Sequence, residues 1–365
     1  MENIKKTICF FNSNRVWGGG EKWHLGTALL MKERNQPVVL FGQPDSELIR
    51  RARQAGIPSQ TLSVSNMTFL NPLKILKLTL HLRRLGVGVI ILNLPSDVKF
   101  AGLAARLAGV RKIIYRRGSP VPVRDTLANR LLFRRLLTHL IANSEQVKQN
   151  ILQNNSKLVG TQKITVIYNS VDSPASQQKQ GFHEGIEPLQ GLIIGTAGRL
   201  SYEKGQDRLI SMAGILKDRG LDFTLLIAGE GPLKESLMHM SRSLGLSDRI
   251  HFKGFVSEMD KFYSMLDIFV LTSCWEGCSN VTLESMMRGL PVVAFRNSSA
   301  PELVQDTVNG FLAKDGDTLD LADKVEQLLR DPLLRMKFGE AGRRIVGEKF
   351  NQDSCFDQLI TLIRE

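Results

Sequence analysis

The chain has 365 residues, 42% hydrophobic and 23% charged, long enough for two domains that each bury a core. No apolar run approaches the roughly 20 residues of a membrane-spanning helix, and the stretch Thr7 to Phe11 is too short for a signal-peptide core, so a cytoplasmic location is expected. Its net charge of +12 is uneven: residues 1–170 carry 26 Lys/Arg against 8 Asp/Glu, net +18, and residues 171–365 carry 22 against 28, net −6. The basic half would be drawn to anionic lipid headgroups, phosphorylated glycans or nucleic acid. Cys9, Cys274, Cys278 and Cys355 show no disulfide or zinc spacing, since Cys274 and Cys278 have no second ligand pair, and no metal is expected.

Apolar strands alternate with amphipathic helices along the chain, the pattern of parallel sheets built from βαβ units. Strands are predicted at Thr7–Ser13, Pro37–Gly42, Val87–Leu94, Lys112–Tyr115, His139–Asn143 and Lys163–Tyr168. Helices among them include Glu21–Arg34, Pro72–Leu85 and Val98–Leu107. The polar segment from Ser173 has no apolar period and reads as a linker, 173–190. A second series follows: Leu192–Thr196, Phe223–Ala228, Ile250–Phe252, Ile268–Thr272, Pro291–Phe295 and Gly310–Ala313, with helices such as Gly205–Asp218 and Leu233–Leu244. The expected fold class is α/β: two Rossmann-like domains, 1–172 and 191–347, facing each other across a cleft. A C-terminal helix within 348–365 would pack back on the first domain.

Chemistry-bearing residues fall where strands end and helices begin. Gly18-Gly-Gly20 precedes Glu21 at the first such turn; glycines there let the backbone approach a phosphate, though a tight turn alone would also use them. In the second series Gly195-Thr-Ala-Gly-Arg-Leu-Ser-Tyr-Glu-Lys-Gly205 follows a strand, and Arg199 with Lys204 suits a diphosphate. Ile227-Ala-Gly-Glu-Gly-Pro232 and Phe252-Lys-Gly-Phe-Val256 mark two further strand ends that could line a nucleoside pocket. Glu276 lies before the turn-like Gly277-Cys-Ser-Asn280, and Glu284 about one turn into the next helix. Open α/β sheets bind ligands at this edge.

In this order the motifs resemble the large family of retaining nucleotide-sugar glycosyltransferases with two Rossmann-like domains (GT-B, family 4), which includes bacterial lipopolysaccharide-core enzymes. The resemblance rests on Gly18-Gly-Gly-Glu21, Ile141-Ala-Asn-Ser144, Val166-Ile-Tyr-Asn-Ser-Val-Asp172, Gly198-Arg-Leu-x-x-Glu-Lys-Gly205 and Ala228-Gly-Glu-Gly-Pro232. It continues through the Glu276/Glu284 pair, Pro291-Val-Val-Ala294 and Pro301-Glu-Leu-Val304. It implies that Arg199 and Lys204 hold the donor diphosphate, Glu276 the sugar hydroxyls and Glu284 the ribose. Backbone N–H groups of Cys278, Ser279 and Asn280, with Gly254, would also face the donor, and Gly19 and Gly20 would approach the phosphates from the other domain. It implies a nucleotide-sugar substrate, UDP-sugar ahead of GDP-sugar, and no cofactor or metal.

Two departures from the family pattern stand out. Many relatives have a histidine near the reacting sugar where Ile113-Ile-Tyr-Arg-Arg-Gly-Ser119 places Arg117, or Arg116 if the register slips by one. An arginine there would suit an anionic acceptor. Cys278 and Asn280 replace a bulky residue and a glycine. Arg111, Lys112, Arg116, Arg117, Arg124, Arg130, Arg134 and Arg135 crowd one region, and Leu127–Leu137 reads as a basic amphipathic helix. These suggest an anionic glycan or lipid-linked acceptor and contact with the inner face of an anionic membrane, in lipopolysaccharide or envelope polysaccharide synthesis. Three alternatives are a silent sugar-nucleotide-binding relative, a basic nucleic-acid-binding protein, and a nicotinamide dehydrogenase. No nucleic-acid motif accompanies 7% aromatics, so no nucleic-acid partner is expected, and the first half lacks Gly-x-Gly-x-x-Gly.

Overall fold

The computed structural model describes residues 6–153, 163–172 and 191–365; the predicted linker lies outside them. The chain divides into two compact units, Met1–Tyr168 with Cys355–Glu365, and Asn169–Ser354.

The first unit holds strands β1 (Thr7–Asn12), β2 (Val38–Gly42), β3 (Ser59–Thr61), β4 (Val87–Leu92), β5 (Lys112–Arg117), β6 (His139–Ala142) and β7 (Ile164–Val166). All pair in parallel in the order β3-β2-β1-β4-β5-β6-β7. β4 and β5 are buried at every position, as in sheets covered on both faces; β4 reads accordingly as a continuous apolar run, whereas β5 carries Lys112, Arg116 and Arg117. One face carries Phe11, Phe41, Ile90, Leu92 and Phe100. The other carries Ile8, Phe10, Leu40 and Ile91 and is covered partly by Phe356, Leu359 and Ile360 of the C-terminal helix Gln352–Arg364. Each of these side chains contributes roughly 1.5–3 kcal/mol on burial. Arg34, which caps the C-terminus of the helix Gly19–Glu33, anchors the C-terminal helix by stacking 4.2 Å over Phe356 and pairing with Asp357 at 3.1 Å.

The second unit holds β8 (Leu192–Ala197), β9 (Phe223–Ala228), β10 (Ile250–Gly254), β11 (Ile268–Leu271), β12 (Val292–Phe295) and β13 (Gly310–Ala313). They form a parallel sheet in the order β10-β9-β8-β11-β12-β13. In each sheet the order reverses beside the first strand, between β1 and β4 and between β8 and β11. Those reversals are the switch points where open α/β sheets leave a crevice at the carboxyl ends of the strands.

The predicted strands all appear, with ends moved by at most two residues. β3, Ser-Gln-Thr, is an edge strand without an apolar residue and gave no periodic signal. The single helix expected over Val98–Leu107 is instead a short turn at Pro95–Asp97, a π-helical stretch Val98–Gly102 and an α-helix Leu103–Ala108.

Candidate functional site

At the switch point of the second unit, β8 runs into Gly198-Arg-Leu-Ser201, a single 3₁₀ turn at Tyr202–Lys204, and the helix Gln206–Asp218. Gly205 makes the join in the left-handed region (φ 60°), and a Cβ there would lie 2.3 Å from the Thr272 carbonyl oxygen. Only glycine fits this approach. The Thr272 hydroxyl donates to the Lys204 carbonyl at 3.1 Å, and the Cys274 N–H to that of Glu203 at 2.9 Å. These bonds stitch the loop after β8 to the loop after β11.

The stitching brings Lys204 and Glu276 together across 72 positions of sequence. The Lys204 ammonium donates to Glu276 Oε1, which also accepts from the Ser273 hydroxyl at 3.0 Å. The pair is partly shielded, with side-chain exposures of 25% and 16%. Arg199 is exposed, its carbonyl held by the Gln206 amide at 2.9 Å. Next to it, Glu203 sits below the usual carboxylate range, chiefly through a bond from the Ser201 hydroxyl at 2.6 Å, with Lys204 and Arg199 adding positive potential.

β8, β9 and β10 end on a row of glycines packed backbone to backbone. The Gly198 N–H donates to the Ala228 carbonyl at 2.9 Å, and the Gly229 N–H to the Gly254 carbonyl at 2.7 Å. A Cβ on Gly229 (φ 139°) would meet the Gly198 oxygen at 1.8 Å, and one on Gly231 the Leu200 oxygen at 2.3 Å. The Gly-Glu-Gly run is thus required by strand-end packing, and Gly254 (φ 64°) sits beside the Glu230 carboxylate.

Cys278 and Ser279 are buried and Asn280 starts the helix Asn280–Met287, which has no side-chain cap. Its first N–H groups therefore form a positive dipole end suited to an anion. Glu284 is the fifth residue of that helix, past the first turn, and Glu284 Oε2 accepts from the Tyr263 hydroxyl at 2.9 Å. Burial, with the Glu284 charge second, raises the Tyr263 hydroxyl far above its ordinary range, so it stays a donor. Asn169, 5% exposed, donates from one amide nitrogen to the Cys278 carbonyl at 2.9 Å and to Asn280 Oδ1 at 2.6 Å.

The first unit's switch point is also polar. The helix Gly19–Glu33 begins after Gly18 with no side-chain cap. Glu21, 2% exposed, is one of its first residues, and Glu21 Oε1 accepts from the amides of Asn12 and Asn14 at 3.0 Å and of Asn93 at 3.3 Å. A Cβ on Gly20 would come within 2.9 Å of Asn93, so this glycine answers to packing whether or not a phosphate approaches. Beside it, Asp97 is fully buried and accepts from the Ser13 hydroxyl and from the Ser13 and Leu94 N–H groups. Burial outweighs those bonds and pushes its carboxyl up to about 7.

Residues 17–173 match the family model described as Glycosyltransferase Family 4, and residues 178–345 that described as Glycosyl transferases group 1. The chain belongs to this glycosyltransferase family. Similar curated relatives include the lipopolysaccharide core glycosyltransferase LpsE of Rhizobium meliloti, 30% identical over 48% of this chain and 51% of the relative. The capsular polysaccharide glycosyltransferase CapM of Staphylococcus aureus is 27% identical over 61% and 60%. The N-acetyl-alpha-D-glucosaminyl L-malate synthase of Bacillus anthracis is 28% identical over 59% and 58%. The chain spans about half the length of the curated relatives it matches. Among solved structures, Anabaena HepE in complex with UDP and glucose superposes with a TM-score of 0.84 at 21% identity, covering 98% of this chain and 99% of that one. At that identity the likeness shows the GT-B fold.

In this member of the family, the two arginines expected on the acceptor side are packed inside the first unit. Arg116 is 2% exposed, its guanidinium 4.4 Å over the Trp23 ring. Arg117 is 8% exposed, donating to the Tyr115 hydroxyl at 3.3 Å and to the Val121 carbonyl. Strand β5 is buried on both faces, so each arginine has to find aromatic or carbonyl partners indoors. The other expected cations are partly spent too: Lys112 donates to the Leu362 carbonyl, and Arg130 pairs with Asp125 at 2.6 Å. The basic segment Leu127–Leu137 is a short α-helix followed by a π-helical stretch, with Phe133, Leu136 and Leu137 in the core. Asn169 and Tyr263 escaped the sequence reading; Asn169 stood in a quoted motif, but its partners lie more than a hundred residues away.

Proposed function

We propose that the chain transfers a sugar from a nucleotide-sugar donor to a glycan or lipid-linked acceptor with retention of anomeric configuration. The observation that carries the reading is the Lys204–Glu276 pair at the switch point of the second unit, beside Arg199 and the uncapped helix start at Asn280. An entering diphosphate would take the Lys204 ammonium from Glu276, leaving the carboxylate to accept from donor sugar hydroxyls. Arg199, Lys204 and the N–H groups of 278–280 would stabilise the charge that grows on the leaving phosphate as its bond to the anomeric carbon breaks. The acceptor hydroxyl would attack from the same face, and its proton would pass to the departing phosphate oxygen. Glu284, held by Tyr263, would receive the ribose hydroxyls, and Asn169 would fix the 278–280 loop.

This reading invokes no metal ion or other cofactor, because two cations and a helix terminus supply the positive potential. A UDP-sugar is favoured over a GDP-sugar, since HepE is described with UDP and with UDP-glucose. The +18 first half and the likeness to LpsE and CapM favour an anionic or lipid-linked acceptor at the cytoplasmic face of a membrane, in lipopolysaccharide or capsule-type polysaccharide assembly. Among the described residues no helix is long and apolar enough to cross a membrane.

The test is a thermal-shift panel of UDP-, GDP-, ADP- and CMP-sugars on wild type and Lys204→Ala. A ligand that binds only the folded state raises its melting temperature. One nucleotide class should stabilise wild type and not the variant. Equal stabilisation of both proteins would overturn the site. Binding without turnover in the presence of acceptor extracts would favour a silent relative instead.

A further inference from the structure

The helix Pro72–Arg84, Pro-Leu-Lys-Ile-Leu-Lys-Leu-Thr-Leu-His-Leu-Arg-Arg, has two apolar faces. Ile75, Leu78 and Leu82 point into the core of the first unit. Leu73, Leu76 and Leu80 recur at three- and four-residue spacing on the opposite side and are 76%, 55% and 45% exposed. A surface helix normally presents polar residues there. The stripe continues beyond the helix: Leu70 precedes it at 60% exposure. Leu107 lies beside it at 52%, on the neighbouring helix Leu103–Ala108, whose carbonyls accept from Thr79 and Arg83.

The charge around this stripe has one sign. Lys74, Lys77 and Arg84 are exposed on the same helix, and between Glu47 and Asp97 the chain carries seven Lys/Arg and no acidic residue. Exposed leucines framed by cations make the pattern of a helix that lies in a bilayer interface, its apolar side chains among acyl chains and its ammonium and guanidinium groups at the headgroups. A second copy of this chain is a poor occupant, because pairing two such faces would set like charges against each other.

We propose that the Pro72–Arg84 helix docks this protein on an anionic lipid surface through Leu73, Leu76 and Leu80, with Lys74, Lys77 and Arg84 at the phosphates. The lipid-linked acceptor proposed above gives the docking its purpose, and the docking itself rests on the helix. It also moves the membrane-facing element away from Leu127–Leu137, where Arg130 is paired with Asp125 and Phe133, Leu136 and Leu137 are taken up by the core.

The test is co-sedimentation of the full chain with phosphatidylcholine vesicles, with and without phosphatidylglycerol, at low and high salt. Wild type should pellet with the phosphatidylglycerol vesicles at low salt only. A Leu73→Ser/Leu76→Ser/Leu80→Ser variant should lose at least about tenfold in partitioning, and a Lys74→Gln/Lys77→Gln/Arg84→Gln variant should lose its preference for the anionic lipid. All six positions are exposed, so both variants should melt like wild type and keep its thermal shift with a UDP-sugar. That last readout separates failure of the docking from failure of the donor site. Wild type that stays in the supernatant, or a leucine variant that pellets equally, overturns the proposal. So does a wild-type dimer, by light scattering, that the leucine variant converts to monomer without any lipid effect.

Discussion

Replacing Lys204 by methionine keeps most of the side-chain volume and removes the charge, and the geometry sets the size of the result. The ion pair with Glu276 is neither buried nor fully exposed, so its loss should fall between the extremes, about 1–2 kcal/mol of stability. Glu276 keeps its bond from Ser273, which limits the damage. A diphosphate loses a charge-assisted bond of about 1.5–3 kcal/mol, so calorimetric titration with UDP should show Kd raised roughly 10- to 150-fold. Glu276→Gln should behave differently. It removes the competitor for the ammonium, so UDP should bind at least as well as to wild type while sugar transfer falls. Unchanged UDP affinity in Lys204→Met would refute the reasoning. Equal weakening by the two variants would mean the pair acts as a structural unit.

Asn169→Leu should cost about 2–3 kcal/mol, two bonds to the 278–280 loop being lost and a buried carbonyl left unpaired, and should weaken donor binding in the same titration. Gly229→Ala should cost at least about 3 kcal/mol or prevent folding, because its Cβ would overlap the Gly198 oxygen. Gly220→Ala (φ 71°), with open space around it, should cost only about 1 kcal/mol by chemical denaturation. His24 is fully buried with neither ring nitrogen hydrogen-bonded. Burial, with Arg116 adding to it, holds it well below 6.5. Its neutral form contributes stability above pH 6.5 that is lost as pH falls, by up to about 1.4 kcal/mol per unit. Asp97 works in the opposite sense: raised to about 7 from 3.8, it is protonated in the fold and stability is lost as pH rises between those values. Urea denaturation at pH 5 and 7 should therefore show His24→Phe gaining relative stability at pH 5, and Asp97→Asn gaining at pH 7.

The alternation of strands and helices was legible because parallel strands such as β4, β11 and β12 are buried on both faces and so read as unbroken apolar runs. β3 was not, because an edge strand needs no apolar residue. Lys204 and Glu276 could be named from motif order, but their contact depends on Gly205 and Thr272 joining two loops, which no local pattern encodes. Charge misled the reading of β5. Arginine in sequence reads as surface, whereas Arg116 is buried with its guanidinium stacked on the face of Trp23. The opposite error hid the Pro72–Arg84 stripe, since leucine at nearly every second position reads as core and only the fold shows which leucines are left outside.

The central claim is that the carboxyl edge of the second sheet receives the donor nucleotide. Hydrogen–deuterium exchange of the wild-type chain with and without a UDP-sugar tests it most directly. The account predicts slowed exchange in 198–205, 229–231 and 276–284, with little change on the strands that carry them. Protection elsewhere, or none at a concentration where calorimetry detects binding, would contradict it.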